Sequence, residues 1–271
     1  MNDQKAMEIL ESVFRAGLRR VDPVIMMEKQ ISVIGNDMVI DTGTERHEVD
    51  LGKFRRILIT GMGKASSRMA LGLEKILGDR IDSGIIAVKY GHTEILKRIK
   101  LMEAGHPVPD EGSVSAANAI IDFIKNAGKD DLIINLVSGG GSAVMCSPCF
   151  CGDGSCIPLA DKQSVSKILL ACGADIHEIN CIRKHLSNVK GGRLAEMMYP
   201  SKSINLILSD VVGDNLDSIA SGATVPDSTT FADVMKIVER YSLKDKLPEK
   251  IMEHLKAGAE GKIPDTPKPG S

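Results

Sequence analysis

An apolar run that breaks into three glycines occupies residues 133–143, with the sequence IINLVSGGGSA. Its β-branched half predicts a strand buried on both faces, and its glycines predict the turn that follows. Glycine lets a ligand approach the backbone closely, and successive amides in such a loop can bind an anion, to which the hydroxyls of Ser138 and Ser142 add donors. The alternative is a flexible bend. We favour the anion site, because open α/β sheets bind ligands at the carboxyl ends of their strands.

The composition is that of an ordinary globular protein. Of the 271 residues, 43% are hydrophobic and 26% are charged, which suits one large domain or two small ones. A net charge of −2 and an aromatic content of 3% give no basis for nucleic-acid binding. The chain starts without the apolar core of a signal peptide, and no apolar run is as long as a membrane span. We therefore expect a cytoplasmic location.

Strand and helix patterns alternate from residue 54 onwards, after an amphipathic helix over 3–20 and a hairpin over 31–40. The predicted strands are 57–60, 84–88, 101–103, 132–137 and 204–210. The predicted helices are 65–77, 113–126, 161–172, 176–187, 229–241 and 247–257. This alternation predicts an α/β fold, a mostly parallel sheet with helices on both faces.

A lysine follows the first strand of this pattern. The segment 61–66, GMGKAS, places two glycines and Lys64 between a strand and a helix start, as phosphate sites do. It is not a Walker A loop, which has four residues between its first glycine and its Gly-Lys pair. Ser66 stands where the dinucleotide fingerprint has its third glycine, and no acid ends the second strand, so NAD binding is disfavoured. The alternative role for Lys64 is that of a surface lysine.

Two carboxylates follow the last predicted strand, in the segment 209–214, SDVVGD. At a strand end, Asp210 could hold Mg²⁺ or accept a proton from a substrate hydroxyl. Asp214 could share that role or could cap the short helical segment that follows it. Both possibilities stay open for Asp214.

Basic side chains cluster near the end of the helix predicted over 176–187 and just beyond it. They are Arg183, Lys184, Lys190 and Arg193. Arginine binds phosphate and carboxylate through two parallel hydrogen bonds, and lysine acts as a point charge. The alternative is a basic helix end that interacts with its own dipole. His106 lies in the turn GHPVP and could bind substrate, although a histidine beside two prolines is more often structural.

Four cysteines lie within eleven residues, at Cys146, Cys149, Cys151 and Cys156. Such spacing could hold zinc or an iron–sulfur cluster. The segment lacks paired C-x₂-C halves, so a loop of free thiols is favoured.

Residues 258–271 lose all periodicity and carry three prolines among polar residues, which is typical of a linker. We therefore predict one domain over residues 1–257 and a linker over 258–271 that leads to an absent domain. A disordered tail is the alternative.

The motifs form an ordered series along the chain. They are GMGKA at 61–65, AGHPVPD at 104–110, SGGGSA at 138–143, IHEIN at 176–180, RKHLS at 183–187, KGGRL at 190–194, SDVVGD at 209–214, IASG at 219–222 and TPKPG at 266–270. This series resembles the glycerate 2-kinase family, the class II glycerate kinases, whose members have often been labelled hydroxypyruvate reductases.

The resemblance implies a Rossmann-like N-terminal domain that faces a second α/β domain across the active-site cleft. It also implies phosphorylation of D-glycerate to 2-phosphoglycerate with ATP and Mg²⁺. The chain departs from the family in its cysteine-rich segment 146–156 and in lacking the second domain. It would supply the N-terminal half of the cleft, with the other half coming from a second domain or a partner chain; a homodimer is one open arrangement.

Phosphoryl transfer depends mainly on positioning and on electrostatic stabilisation, which gives each candidate a role. Lys64 would stabilise charge on the transferred group. Asp210 would activate the glycerate hydroxyl or hold Mg²⁺, with Asp214 as a second candidate ligand. Phosphate or substrate anions would be bound by Ser138, Gly139, Gly140, Gly141 and Ser142, and carboxylate or nucleotide phosphates by Arg183, Lys184 and Arg193.

Three other functions fit the same residues. A strand-Gly-x-Gly-Lys-helix unit with a Ser/Gly loop also suits a phosphosugar-binding module of the SIS type, without kinase chemistry. An isolated domain could bind substrate or a partner chain and remain catalytically silent. The third alternative is hydroxypyruvate reduction, as some relatives of the resembled family are labelled.

Overall fold

The computed structural model describes residues 3–149 and 156–270. The helices are α1 Asp3–Arg20, α2 Pro23–Gln30, α3 Ser66–Leu77, α4 Glu111–Lys125, α5 Gly141–Val144, α6 Leu159–Ala171, α7 Ile176–His185, α8 Arg193–Met198, α9 Phe231–Arg240 and α10 Glu249–Ala259. The strands are β1 Ile31–Ile34, β2 Asp37–Asp41, β3 Arg46–Asp50, β4 Arg56–Met62, β5 Ser83–Lys89, β6 Ile99–Ala104, β7 Asp131–Ser138 and β8 Lys202–Leu208. None of these helices is long and apolar enough to cross a membrane.

A five-stranded sheet forms the centre of the fold, in the order β6-β5-β4-β7-β8, and all its neighbouring strands are parallel. Counted from β4, this is the Rossmann order 3-2-1-4-5. The predicted α/β fold with a parallel, Rossmann-like sheet is therefore confirmed. The strand order reverses between β4 and β7, and ligands of such sheets bind beyond the carboxyl ends at this point.

Helices cover both faces of the sheet, because alternate residues of each strand point to opposite sides. On β4, Ile59 packs in one core with Leu73 of α3, beside the small antiparallel sheet β1-β2-β3. Its neighbour Leu58 packs in the other core with Ala116 of α4. A third core joins α6, α7, α9 and α10.

Short polar motifs set the start of several helices. The side chain of Asp22 accepts a hydrogen bond from Val24 N at the start of α2, and Pro23 occupies the first turn. Asp110 and Ser113 form a reciprocal capping box on α4. These caps satisfy backbone N–H groups that have no partner within the helix.

The structure differs from the sequence prediction at two strands. Strand β3 was not predicted, because its sequence RHEVD is polar and only Val49 is buried. The strand predicted as buried over 204–210 ends at Leu208 and forms an edge of the sheet, with no fully buried residue. An apolar strand pattern does not reveal whether the strand has one neighbour or two.

The region predicted as a linker begins within α10 and then contacts the domain again. Asp265 Oδ1 lies 2.8 Å from Nε2 of the buried His185, and Thr266 Oγ1 donates to Asp227 Oδ2 at 3.0 Å. Residues 265–266 are thus fastened to the end of α7 and to the loop before α9. The final residue, Ser271, lies outside the described residues.

Candidate active site

The loops after β4 and β7 meet at the point where the strand order reverses. Lys64 N donates to Gly139 O at 2.9 Å. Gly63 has φ +129°, and a Cβ there would lie 2.3 Å from Ser138 Oγ. Only glycine fits this position, because the two loops touch through their backbones. The contact holds Lys64 beside the glycine loop.

Lys64 and Asp210 form an ion pair above that loop. The Nζ atom of Lys64 lies 3.3 Å from Oδ2 of Asp210, and both side chains remain partly exposed. A Cβ on Gly139 would lie 1.9 Å from the same Oδ2 atom, so Asp210 occupies the space that any other side chain would fill. The structure thus brings together the glycine loop and the two residues that were predicted as catalytic.

His106 joins this group from the turn after β6. A Cβ on Gly140 would lie 2.8 Å from its Cδ2 atom and 3.2 Å from Cγ of Lys64. Burial and the nearby Lys64 lower the pKa of the imidazole below its ordinary value of 6.5, which favours the neutral ring at pH 7. The GHPVP turn was the sequence signal for His106, although a structural role had been favoured for it.

The two serines of the glycine loop have different environments. The hydroxyl of Ser138 is buried, accepts from Ala65 N at 3.0 Å and lies 3.1 Å from Ser66 Oγ. It therefore ties the loop to the start of α3. Ser142 lines a cavity at this edge of the sheet, and its hydroxyl lies 2.6 Å from Ser221 Oγ.

The turn that carries Ser221 is strained. Ala220 and Ser221 have φ values of 50° and 56°, in the left-handed region that L-residues rarely adopt. Ser221 Oγ also donates to Oδ1 of the buried Asn180 at 3.1 Å, which links this turn to α7. Such strain persists where the surrounding structure enforces it, commonly at ligand sites. The sequence did not indicate this strain, because alanine and serine are ordinary residues.

A cavity of about 610 Å³ opens at this edge of the sheet. Its walls include Gly139, Gly140, His106 and Asp210 and, from α7, Arg183. The volume lies in the range typical of small-molecule sites.

The three basic residues predicted to bind substrate point in different directions. Arg183 lines the cavity, makes no hydrogen bond or ion pair with the described residues, and has its pKa lowered by burial. Lys184 is buried away from the cavity, 3.2 Å from Asp217 and 3.3 Å from Asp227. Arg193 donates to the carbonyl of Lys184 at 3.0 Å and holds the end of α7. Of the three, only Arg183 lines the cavity.

Two buried lysines also line the cavity, Lys190, which belongs to the predicted basic cluster, and Lys162, for which no role was predicted. The buried Lys190 donates through Nζ to Ser142 O at 2.9 Å and to Met145 O at 3.3 Å. Burial lowers its pKa to about 7. The buried Lys162 donates to Leu186 O at 2.9 Å. Nothing in the spacing of either lysine indicates that it faces a cavity.

The predicted metal ligands and the cysteines are less closely grouped. Asp214 is exposed, has φ 51° and does not line the cavity. Within residues 3–149 and 156–270, no group of three or more His, Cys, Asp or Glu side chains could hold a metal ion. Cys146, Cys149 and Cys156 form no disulfide bond within the described residues, which do not include Cys151.

The strand order, the contacting loops and the basic cavity define an α/β protein with a ligand cleft at the carboxyl edge of its sheet. The chain belongs to the family described as Domain of unknown function (DUF4147), whose profile matches residues 9–256.

Named relatives and solved structures agree with this assignment. The chain is 41% identical over 264 residues to glycerate 2-kinase from Pyrococcus horikoshii, a match that covers 96% of this chain and 57% of that protein. A crystal structure from the same organism has a TM-score of 0.85 and 39% identity, and covers 97% of this chain and 57% of that one.

The crystal structure of a glycerate kinase from Thermotoga maritima has a TM-score of 0.71 and 39% identity, with 80% of this chain and 49% of that chain covered. The chain thus spans little more than half the length of the curated relatives it matches. The resemblance to glycerate 2-kinases that the motif series indicated is confirmed.

Proposed function

We propose that this chain takes part in the ATP-dependent phosphorylation of D-glycerate to 2-phosphoglycerate. The observation that carries the proposal is the Lys64–Asp210 ion pair above the glycine loop, at the point of the sheet where ligands bind. Supporting it are the cavity's basic lining and the names of the glycerate kinases to which the chain is similar.

The roles of the two charged residues follow from the chemistry of phosphoryl transfer. Charge spreads over the oxygens of the transferred group, and the attacking hydroxyl must lose its proton. Lys64 is a cation beside the glycine loop and stabilises that charge. Asp210 carries a carboxylate at the same point and either accepts the proton of the glycerate C2 hydroxyl or holds Mg²⁺. The N–H groups of Gly139 and Gly140, which donate to no backbone carbonyl of the described residues, orient an anionic oxygen.

Arg183 binds an oxyanion of the substrates, either the carboxylate of glycerate or a phosphate of ATP. Its guanidinium is desolvated in the cavity wall and has no counter-ion in the described part of the chain. Arginine can form two parallel hydrogen bonds to either group. Lys184 and Arg193 support this residue indirectly, because they hold the end of α7 in place.

The residues present also fit a magnesium ion carried by ATP. Mg²⁺ is commonly bound by one or two carboxylates, with substrate phosphates and water completing its shell. Asp210 would be its ligand from this chain, and Asp214 on the following turn is a second candidate. The ion would neutralise charge on the nucleotide phosphates.

The rest of the cleft is proposed to come from a second α/β domain, in the same protein or in a partner chain. Residues 258–271 would connect to it, and a homodimer is one arrangement that would supply it. The proposal rests on the longer relatives, of which this chain covers 57% or less. The proposed location is the cytoplasm, where the free thiols would stay reduced.

The test is an assay of the chain with ATP, Mg²⁺ and D-glycerate, followed by ³¹P NMR, with L-glycerate as the stereochemical control. Formation of 2-phosphoglycerate supports the proposal. Binding of D-glycerate without turnover supports a silent domain, and preferential binding of sugar phosphates supports a module of the SIS type. Consumption of NADH or NADPH with hydroxypyruvate would point to the reductase instead.

A further inference from the structure

Three cations that line the cavity are buried or partly buried and come from three different segments, whereas Lys167, which also lines it, is exposed. Lys162 lies on α6, Arg183 on α7, and Lys190 between α7 and α8. The two lysines are only 7% and 3% exposed. None of the three forms an ion pair with a carboxylate of the described residues.

The hydrogen bonds of these lysines orient their amino groups without supplying a counter-ion. The Nζ of Lys162 donates to one backbone carbonyl and that of Lys190 to two. Lys184 provides the contrast, because it is as deeply buried and has two carboxylates within 3.3 Å. The one carboxylate among the described residues that line the cavity is Asp210, which already pairs with Lys64.

A buried cation without a counter-ion is unfavourable, and an anionic ligand can supply the missing charge. We infer that Lys162, Arg183 and Lys190 form a subsite for a carboxylate or phosphate oxyanion, and that binding there protonates Lys190. This inference rests on the proposed function, since the same cavity would hold glycerate and the phosphates of ATP. Beyond Arg183, it assigns Lys162 and Lys190 to that site and couples ligand binding to the uptake of a proton.

The coupling to protons follows from the surroundings of Lys190. Burial lowers the pKa of its amine to about 7; Lys162 on α6 and Arg183 on α7 act in the same direction, and Cys146 after α5 acts against them. A bound anion stabilises the ammonium form and therefore raises this pKa. Above pH 7 the amine of the free protein is mostly neutral, so binding takes up a proton and the affinity falls by up to about tenfold per pH unit.

The test is isothermal titration calorimetry of the chain with D-glycerate and, separately, with sulfate, between pH 7 and pH 9. Neither ligand titrates in this range, and two buffers of different ionisation enthalpy report the proton uptake. We expect uptake approaching one proton per site at pH 8 and a loss of affinity of more than about tenfold between pH 7.5 and pH 9. Preference for D-glycerate would identify a carboxylate subsite, and preference for sulfate a phosphate subsite.

Variants separate the subsite from the rest of the cavity. Lys190→Met should abolish proton uptake, and Lys162→Met should weaken binding with the uptake retained. Lys125→Met, an exposed residue at the end of α4, should match the unchanged protein. Circular dichroism shows whether each variant folds.

Two results for the unchanged protein overturn the inference, regardless of how the variants behave. One is failure to bind either anion, and the other is binding without proton uptake. Proton-linked binding without any formation of 2-phosphoglycerate would leave the subsite in place and remove the proposed kinase function. Formation of 2-phosphoglycerate without proton-linked binding would leave the proposed kinase function in place and remove the subsite.

Discussion

The Nζ atom of Lys64 lies 3.3 Å from Oδ2 of Asp210, although 146 positions separate the two residues in the chain. Their strands, β4 and β8, are not neighbours, because β7 lies between them. The two side chains therefore meet over the loop that follows β7. A side chain at Gly139 would fill the place of the Asp210 carboxylate, so the ion pair and the glycine depend on each other.

Gly139→Ala should disable the site without unfolding the domain. The added Cβ would lie 1.9 Å from Oδ2 of Asp210, which must move. A displacement of about 1 Å in a reacting group can lower turnover by roughly 10²-fold. Gly17→Ala on α1 is the control, because no atom lies within 4 Å of the added carbon. Turnover of glycerate by Gly139→Ala at the unchanged rate would contradict this account of the loop.

Lys64→Ala and Asp210→Ala should each lower the rate of glycerate phosphorylation by roughly 10³-fold, in a protein that includes the second domain. Loss of one group that stabilises transition-state charge has effects of about this size. Lys75→Ala is the matched control, because Lys75 forms an exposed ion pair with Glu28 on the neighbouring α2. Near-native turnover of either site variant would remove that residue from the mechanism.

Substitutions of two neighbouring residues on α7 should affect different properties, substrate binding for Arg183 and stability for Lys184. Arg183→Met should raise the KM for D-glycerate or for ATP by about tenfold or more, because the guanidinium is proposed to bind an oxyanion of one of them. The free energy of unfolding should stay nearly unchanged, because Arg183 forms no hydrogen bond or ion pair with the described residues. Lys184→Met should lower the free energy of unfolding by about 3 kcal/mol, because the fully buried Asp227 would lose its cation.

Urea unfolding and steady-state kinetics on the two variants measure both effects. If Lys184→Met were as stable as the unchanged protein, the buried pair would not have the structural role assigned to it.

Asp131→Asn should destabilise the opposite edge of the sheet in a pH-dependent way. The buried carboxylate lies 2.7 Å from Arg56 and 3.2 Å from Arg55, and the hydrogen bond from Arg56 holds its pKa far below the usual range. A carboxyl whose pKa is lowered on folding stabilises the protein at neutral pH, and this contribution is lost as the pH falls below about 4. Because both arginines reach solvent, we expect a loss of only about 2 kcal/mol at pH 7.

Urea unfolding at pH 7 and at pH 3 tests this prediction. The difference between Asp131→Asn and the unchanged protein should shrink at the lower pH. Asp130→Asn, at the exposed neighbouring position, should have little effect at either pH. A difference that stayed constant with pH would mean that packing, and not the charge, accounts for the effect.

Much of the fold could be predicted because its signals are local. The β-branched run of β7, the glycines after it and the Asp22–Pro23 helix start each depend on residues a few positions apart. The polar strand β3 escaped prediction because it is stabilised mainly by pairing with β2. The partial exposure of β8 was not predicted either, because its position at the edge depends on the absence of a further strand beside it.

Part of the site could be predicted for a geometric reason. Carboxyl ends of parallel strands share one edge of a sheet, and Lys64, the glycine loop and Asp210 each follow a predicted strand, so all three belong at that edge. This geometry could not predict which of the basic residues line the cavity. Arg183 and Lys184 are adjacent in sequence, yet one lines the cavity and the other joins a buried ion pair. Consecutive residues of a helix point about 100° apart, and packing decides which direction is buried.

The sequence by itself determined the parallel α/β architecture, the order of the motifs and the family, because these depend on local conformation and on residue identity. Only the tertiary structure decided which cations have carboxylate partners. Lys184 meets Asp227 from 43 positions away, whereas Lys162 and Lys190 meet only backbone carbonyls of the described residues. Burial and charge pairing arise between residues far apart in the chain, so the unneutralised charge of the cavity became apparent only in the folded protein.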